Sequence, residues 1–168
     1  MKQVEALVAI GANLGEPAKT VSSAIHALAE IPATTLVKVS SLYRTAPVGL
    51  KNQPDFINAV AQLHTALSPQ QLLEELFQIE GRFGRLRSVS NAPRTLDLDL
   101  LLHGDGIMTT AELTLPHPRM HQRAFVLVPL LEIVVDCQIP GHGLASRLLQ
   151  GCSNQRVTRI PDNVTNAA

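Results

Sequence analysis

Aromatic side chains are nearly missing from this chain, which has no tryptophan, one tyrosine and four phenylalanines among 168 residues. Proteins that read single-stranded RNA stack bases on aromatic platforms set in a basic face. Neither feature is present, because fourteen Lys and Arg balance fourteen Asp and Glu. Without net charge there is no long-range field toward nucleic acid or an anionic membrane, so recognition must be local. Cysteine is scarce too: Cys137 and Cys152 stand alone, which excludes a disulfide framework and reads neither as a zinc site nor as a redox motif. The six histidines show no metal-ligand spacing. The longest apolar stretch, 124–135, contains Pro129 and Glu132 and is too short to span a bilayer. Near the start, Glu5 interrupts the first apolar stretch, and the succession of basic, apolar and small residues that marks a leader is missing. The expectation is a cytoplasmic monomer acting on small molecules, with no nucleic-acid and no membrane partner.

At 45% apolar residues the chain can bury one substantial core. The reading is a single domain over 1–155 and a polar tail over 156–168. Apolar runs predict strands over 4–10, 36–43 and 56–64. Val21, Ala24, Ile25 and Leu28 repeat at helical spacing after Pro17, with Pro32 marking the helix end. A second helix opens at Ser68-Pro69-Gln70-Gln71, where Ser68 and Gln71 complete a capping box, and Leu72, Leu76, Ile79 and Phe83 mark its buried stripe. The order strand, helix, strand, strand, helix, strand is that of an α+β, ferredoxin-like sandwich: a largely antiparallel sheet with both of these helices on one face. Beyond Gly104 come a hairpin-like connection, an apolar helix broken near Pro129 and a short helix over 144–149.

What most distinguishes the chain is the run from Pro93 to Leu102. In a strand, Leu96, Leu98, Leu100 and Leu102 fill a core while Asp97 and Asp99 face the other way, their Cα atoms roughly 6.5 Å apart. Two carboxylates that close repel unless something positive lies between them. Magnesium is held by one or two protein carboxylates with substrate phosphate completing its shell, and two ions about 4 Å apart could share the pair. Ten of the fourteen cations are Arg, and Arg82, Arg85, Arg87 and Arg94 lead into this strand, a pattern suited to clamping oligophosphate oxygens. Phe56 and Phe125 either pack the core or form a stacking slot for a flat heterocycle, whose edge Asn58 could read. Gly11-Ala12-Asn13-Leu14-Gly15 lacks the ending of a P-loop and reads as turn chemistry.

Gly11 to Gly15, Tyr43-Arg44-Thr45, Gln53 to Ala59, Glu80 with Gly84-Arg85, Pro93 to Asp99 and Pro116-His117-Pro118 together resemble the family of 6-hydroxymethyl-7,8-dihydropterin pyrophosphokinases of folate biosynthesis, from about residue 6 to residue 133. The resemblance implies a ferredoxin-like fold and transfer of pyrophosphate from ATP to the pterin hydroxymethyl group, with release of AMP and use of two Mg2+ ions. It implies Asp97 and Asp99 as metal ligands, Arg85 and Arg94 as phosphate clamps and Arg87 on a catalytic loop. Phe56 and Phe125 would sandwich the pterin, with Asn58, Thr45 and the backbone near Val48 at its edge. Glu80, Arg87, Arg94, Leu100, Thr114, His117 and Arg123 would contact ATP. The chain departs from the family pattern in lacking the loop tryptophan near Asn91, in Pro118 after the histidine, in Phe77 near the adenine position and in Ala46 within the pterin loop. Two rival readings are a metal-dependent nucleotidyl transferase and a non-catalytic nucleotide-binding module of the same fold.

Overall fold

The computed structural model describes residues 2–47, 52–84 and 95–161. Strand β1 (Val4–Ala12) is apolar almost throughout because neighbours flank it on both edges and both of its faces are covered. Helix α1 (Pro17–Ala29) starts with proline in its first turn and buries Val21, Ala24 and Leu28. Strand β2 (Thr34–Val39) and strand β3 (Tyr43–Thr45) replace the single strand predicted over 36–43. The break has a local cause. The Ser40 hydroxyl accepts the Val60 N–H at 2.9 Å and donates to the Ser41 carbonyl at 2.7 Å, so a side chain takes the place of a ladder bond and the backbone steps aside.

Strand β4 (Phe56–Thr65) is followed by α2 (Pro69–Arg82), whose predicted capping box is present: Ser68 Oγ accepts the Gln71 N–H, and Gln71 Oε1 accepts the Ser68 N–H. Leu72, Leu76 and Ile79 are buried, while Phe83 is only partly buried beyond the helix end. Strand β5 (Asp97–His103) forms one edge of the sheet. The order is β3-β4-β1-β5 with β2 also pairing β4, and every pairing is antiparallel. The unit β1-α1-β2 steps over β4 and the unit β4-α2-β5 steps over β1, as the ferredoxin-like reading requires.

The remaining elements are β6 (Met108–Thr109) hairpinned with β7 (Thr114–Leu115), a 3-10 turn at Met120–Gln122, α3 (Ala124–Ile133), β8 (Gln138–Ile139) hairpinned with β9 (Gly143–Leu144), α4 (Ala145–Gln150) and β10 (Val157–Arg159). Among the described residues no helix is long and apolar enough to cross a membrane. Three predicted features need correction. Pro129 does not break α3 but sits inside it; the missing N–H removes the donor to the Phe125 carbonyl, and burial of Val126, Leu127, Pro129 and Leu130 offsets that cost. Residue 156 does not begin a polar tail, because β10 pairs antiparallel with β3 and Ile160 is buried behind it. Leu102 does not share a face with Leu98 and Leu100, because a register shift between Leu7 and Val8 inserts an extra residue opposite β1.

The sheet therefore carries two cores. One, under α1 and α2, gathers Ala6, Val8, Ile10, Ala12, Val21, Leu28, Ala59, Ala61, Leu63, Leu72, Leu76, Ile79, Leu96, Leu98 and Leu100. The other, under α3 and α4, gathers Leu7, Val60, Leu101, Leu102, Met120, Val126, Leu127, Leu130, Cys137, Ile139, Ala145 and Cys152.

Candidate active site

On the α3 side of the sheet, β1 presents Leu7, then Ala9, then Gly11, a side chain that shrinks toward one end. Partners across the ladders change with it. Leu7 lies beside Leu102, Ala9 beside Val60 and Asp99, and Gly11 beside Asn58 and Asp97. Directly opposed residues of an antiparallel pair share a face, so Tyr43, Asn58, Gly11 and Asp97 form one transverse row across four strands, with Thr45 and Phe56 forming the next. Gly11 has a definite reason to be glycine, since a Cβ there would meet Asn58 Oδ1 at 3.0 Å. The glycine thus lets the amide of Asn58 reach into the space beside Asp97.

Asn58 is buried and its Nδ2 donates to Thr45 Oγ1 at 2.8 Å. That bond orients the amide next to the register pair of Thr45 with Phe56, which is partly exposed. Asn13, also buried, donates from Nδ2 to Gln53 Oε1 at 2.7 Å and to the Pro54 carbonyl at 3.1 Å, tying the end of β1 to the segment that leads into β4. Phe125 lies in the first turn of α3, with the Arg123 guanidinium 5.4 Å from its ring centroid.

Asp97 and Asp99 are partly buried on this face. The Asp99 carboxyl is pushed up to about 7, first by burial and then by the charge of Asp97 and a hydrogen bond with it, while Arg123 pulls the other way. Among the described residues no group of three or more His, Cys, Asp or Glu could hold a metal. Two hard carboxylate oxygens donors are nonetheless the set that magnesium takes when substrate phosphate supplies the rest, so the residues present fit that ion.

His117 completes this side. Its N–H bonds the Leu101 carbonyl at 2.9 Å, which pins the 116–118 loop to β5. Its Nδ1 accepts the Arg119 N–H at 3.2 Å, so the ring proton belongs on Nε2. Burial, followed by Arg123, pushes the imidazole down to about 4 against the pull of Asp97, and it is neutral at physiological pH. Glu80 is buried at the end of α2, where Oε2 accepts the Leu98 N–H at 2.7 Å. It thereby satisfies an edge donor of β5 from the opposite side of the sheet. The side chain of Leu100 is in the α1/α2 core, which leaves its backbone for any ligand contact. Thr114 is partly buried on β7, beside β5.

The structure thus brings Asp97, Asp99, His117 and Arg123 into one electrostatic group, and Asn58, Thr45 and Phe56 into an adjoining one. Arg85, Arg87, Arg94 and Val48 lie outside the described residues. Sequence reasoning read Gly11 and Asn13 as turn chemistry, and gave Gln53 no role beyond its place in the resemblance. A glycine inside a strand pattern, which often marks a close approach of another group, was the available signal. It also missed an anchor at the far end of α3. Glu132 accepts Tyr43 O–H at 2.6 Å, Ser41 O–H at 2.8 Å and the Ser41 N–H at 3.0 Å, and Arg159 Nε donates to Ser41 Oγ at 2.9 Å.

Fold and site together define an α+β protein with an acidic, histidine-containing centre beside Asn58, Thr45 and Phe56. A family model described as 7,8-dihydro-6-hydroxymethylpterin-pyrophosphokinase matches residues 7–135. A protein named 2-amino-4-hydroxy-6-hydroxymethyldihydropteridine pyrophosphokinase from Haemophilus influenzae is 40% identical over 157 residues, covering 94% of this chain and 98% of its own. Its namesake from Pseudomonas aeruginosa is 42% identical, covering 92% and 95%. The HPPK-DHPS protein of Plasmodium falciparum superposes with a TM-score of 0.70 at 14% identity. That likeness concerns the fold, and the match takes in 89% of this chain but only 45% of that longer one. The chain belongs to the 6-hydroxymethyl-7,8-dihydropterin pyrophosphokinase family of folate biosynthesis.

Proposed function

We propose that this chain transfers the pyrophosphoryl group of ATP to the hydroxymethyl oxygen of 6-hydroxymethyl-7,8-dihydropterin, with release of AMP, and that it does so as a Mg2+-dependent cytoplasmic monomer. The observation that carries the reading is the transverse row in which Gly11 separates the Asn58 amide from Asp97. Asn58, which would read the edge of a ring, stands across β1 from Asp97 of the carboxylate pair. Phe56 and Phe125 bound the pterin on its faces, and Asn58, Thr45 and the backbone near Val48 read its edge.

Asp97 and Asp99 would hold two magnesium ions, which when bound neutralise charge on the phosphate oxygens and favour in-line displacement. Arg85 and Arg94 would clamp the transferring group, with Arg87 assisting them at the nucleotide. His117 offers a neutral Nε2 donor to the nucleotide, and Arg123 adds positive charge to the carboxylate pair. Glu80 holds β5 in place at Leu98, and Leu100 and Thr114 flank the nucleotide on β5 and β7. None of these side chains is poised as a general base. Catalysis rests on positioning and on charge stabilisation.

The test is product analysis with labelled magnesium-ATP and the reduced hydroxymethylpterin. The reading requires AMP formation that depends on the pterin. ADP as product would make the chain an ordinary kinase, and released pyrophosphate would make it a nucleotidyl transferase.

A further inference from the structure

The family match stops at residue 135, yet the chain beyond it comes back to the site. Gln155 follows the turn that ends α4, where its N–H bonds the Cys152 carbonyl at 3.0 Å. Its side-chain Oε1 accepts the Ala124 N–H at 2.9 Å, and its Nε2 donates to the Gln122 carbonyl at 2.9 Å. An N–H needs an acceptor and a carbonyl needs a donor, so these two partners also fix which way round the amide sits. The two peptide groups it grips are those flanking Arg123.

Arg123 occupies the N-cap of α3 without capping that helix with its own side chain. The first N–H groups of a helix have no partner within it, and Gln155 satisfies one of them from a distant part of the chain. In doing so it fixes the peptide planes on both sides of Arg123, and hence the direction in which that side chain leaves the backbone. That direction matters because Arg123 stands over Phe125 and acts electrostatically on both Asp99 and His117.

We propose that Gln155 is a positioning residue for the reaction, aiming Arg123 at the nucleotide phosphates through a two-point clamp on its flanking peptides. The proposal rests on the nucleotide role given to Arg123 above. No other side chain of similar reach serves equally well: asparagine is a methylene too short, and glutamate can accept the Ala124 N–H but repels the Gln122 carbonyl.

The experiment measures KM for magnesium-ATP, KM for the pterin and melting temperature in Gln155→Leu, Gln155→Glu, Arg123→Ala and the double variant Gln155→Leu/Arg123→Ala. Gln155→Leu should raise KM for magnesium-ATP roughly five- to tenfold, the scale of a modest misalignment. In the Arg123→Ala background the same change should add nothing to that KM, because the clamp acts only through the residue already removed. A cap that served stability alone would lower the melting temperature and leave KM where it was. An unchanged KM in folded Gln155→Leu, beside a raised one in Arg123→Ala, overturns this inference and leaves the proposed function standing. Equal fold-changes with and without Arg123 also overturn it. An unchanged KM in Arg123→Ala removes that residue from the nucleotide site and takes the underlying assignment down as well. Should Gln155→Leu fail to fold, Gln155→Glu keeps half of the clamp and carries the same test.

Discussion

The two faces of the sheet are built from alternate residues of the same strands and do opposite work. Under α1 and α2, Ala6, Val8, Ile10 and Ala12 of β1 meet Ala59, Ala61 and Leu63 of β4 and Leu98 and Leu100 of β5, all apolar and closed. Under α3, the same strands run from Leu7, Val60 and Leu101 at one end to Gly11, Asn58 and Asp97 at the other. One face holds the fold together along its whole length. The second does so for half its length and spends the other half on polar groups that contribute little to burial. A strand can serve both ends because the period of two separates them, interrupted only where the bulge in β5 sends both Leu101 and Leu102 to the α3 side.

The sharpest way to break this comparison is to substitute neighbours on β5. Asp97→Ala or Asp99→Ala should lower turnover at least about a thousandfold, as expected when several kcal/mol of charge stabilisation is lost, while the melting temperature stays close to that of the parent. Leu98→Ala, one residue away on the other face, should cost about 2–5 kcal/mol of stability, a drop on the order of ten degrees, with KM values unchanged in the folded fraction. Calorimetry and steady-state kinetics on the same preparations decide it. Near-normal turnover in both Asp variants would refute the metal assignment.

Gly11→Ala probes where the two halves of the α3 face meet. Its new Cβ would stand 3.0 Å from Asn58 Oδ1 and turn the amide away. KM for the pterin should rise about tenfold with KM for magnesium-ATP nearly unaffected. Equal effects on the two substrates would mean that Asn58 does not read the ring edge.

The smallest expected effect comes from the far end of α3. Glu132→Gln should cost about 1 kcal/mol near neutral pH, since the bonds it weakens are exposed to solvent. Bonds from Tyr43 and Ser41 hold the Glu132 carboxyl below its ordinary value of 4.5 although burial acts against them. A depressed carboxyl stabilises the fold above the unfolded pKa and loses that contribution as pH falls through the folded one. The stability difference between parent and Glu132→Gln should therefore close in the acid range below 4.5. Tyr43 behaves oppositely. Burial and Glu132 push it up to about 12, so its share is intact below 10 and is lost as pH rises through about 12. Denaturation followed from acid to alkaline pH shows both limits, and a difference that persists at low pH would place the stabilisation elsewhere.

How much of this was readable in the chain follows the same division. Much of the α1/α2 face was legible, because Val21, Ala24 and Leu28, the Ser68–Gln71 box and Leu98 and Leu100 of β5 are signals carried by near neighbours, whereas the bulge that moves Leu102 to the other face is not. That Asp97 and Asp99 face away from that core was legible for the converse reason, as charges where a strand should be apolar. The step at Ser40 was not, since it depends on a side-chain bond to Val60 on another strand. Three-residue β10 pairs with β3 through backbone, and Val157, Thr158 and Arg159 carry no pattern that would announce it. Gln155, Glu132 and Gly11 acquire meaning only from partners dozens of residues away, and spacing along a sequence cannot display such contacts.

A crystal of the protein with magnesium, a non-hydrolysable ATP analogue and the hydroxymethylpterin tests the central claim most directly. The account predicts a cation at about 2.1 Å from carboxylate oxygens of both Asp97 and Asp99, the triphosphate beside His117 and Arg123, and the pterin between Phe56 and Phe125 with its edge on Asn58. A triphosphate bound away from β5, with no cation at the two aspartates, would contradict it.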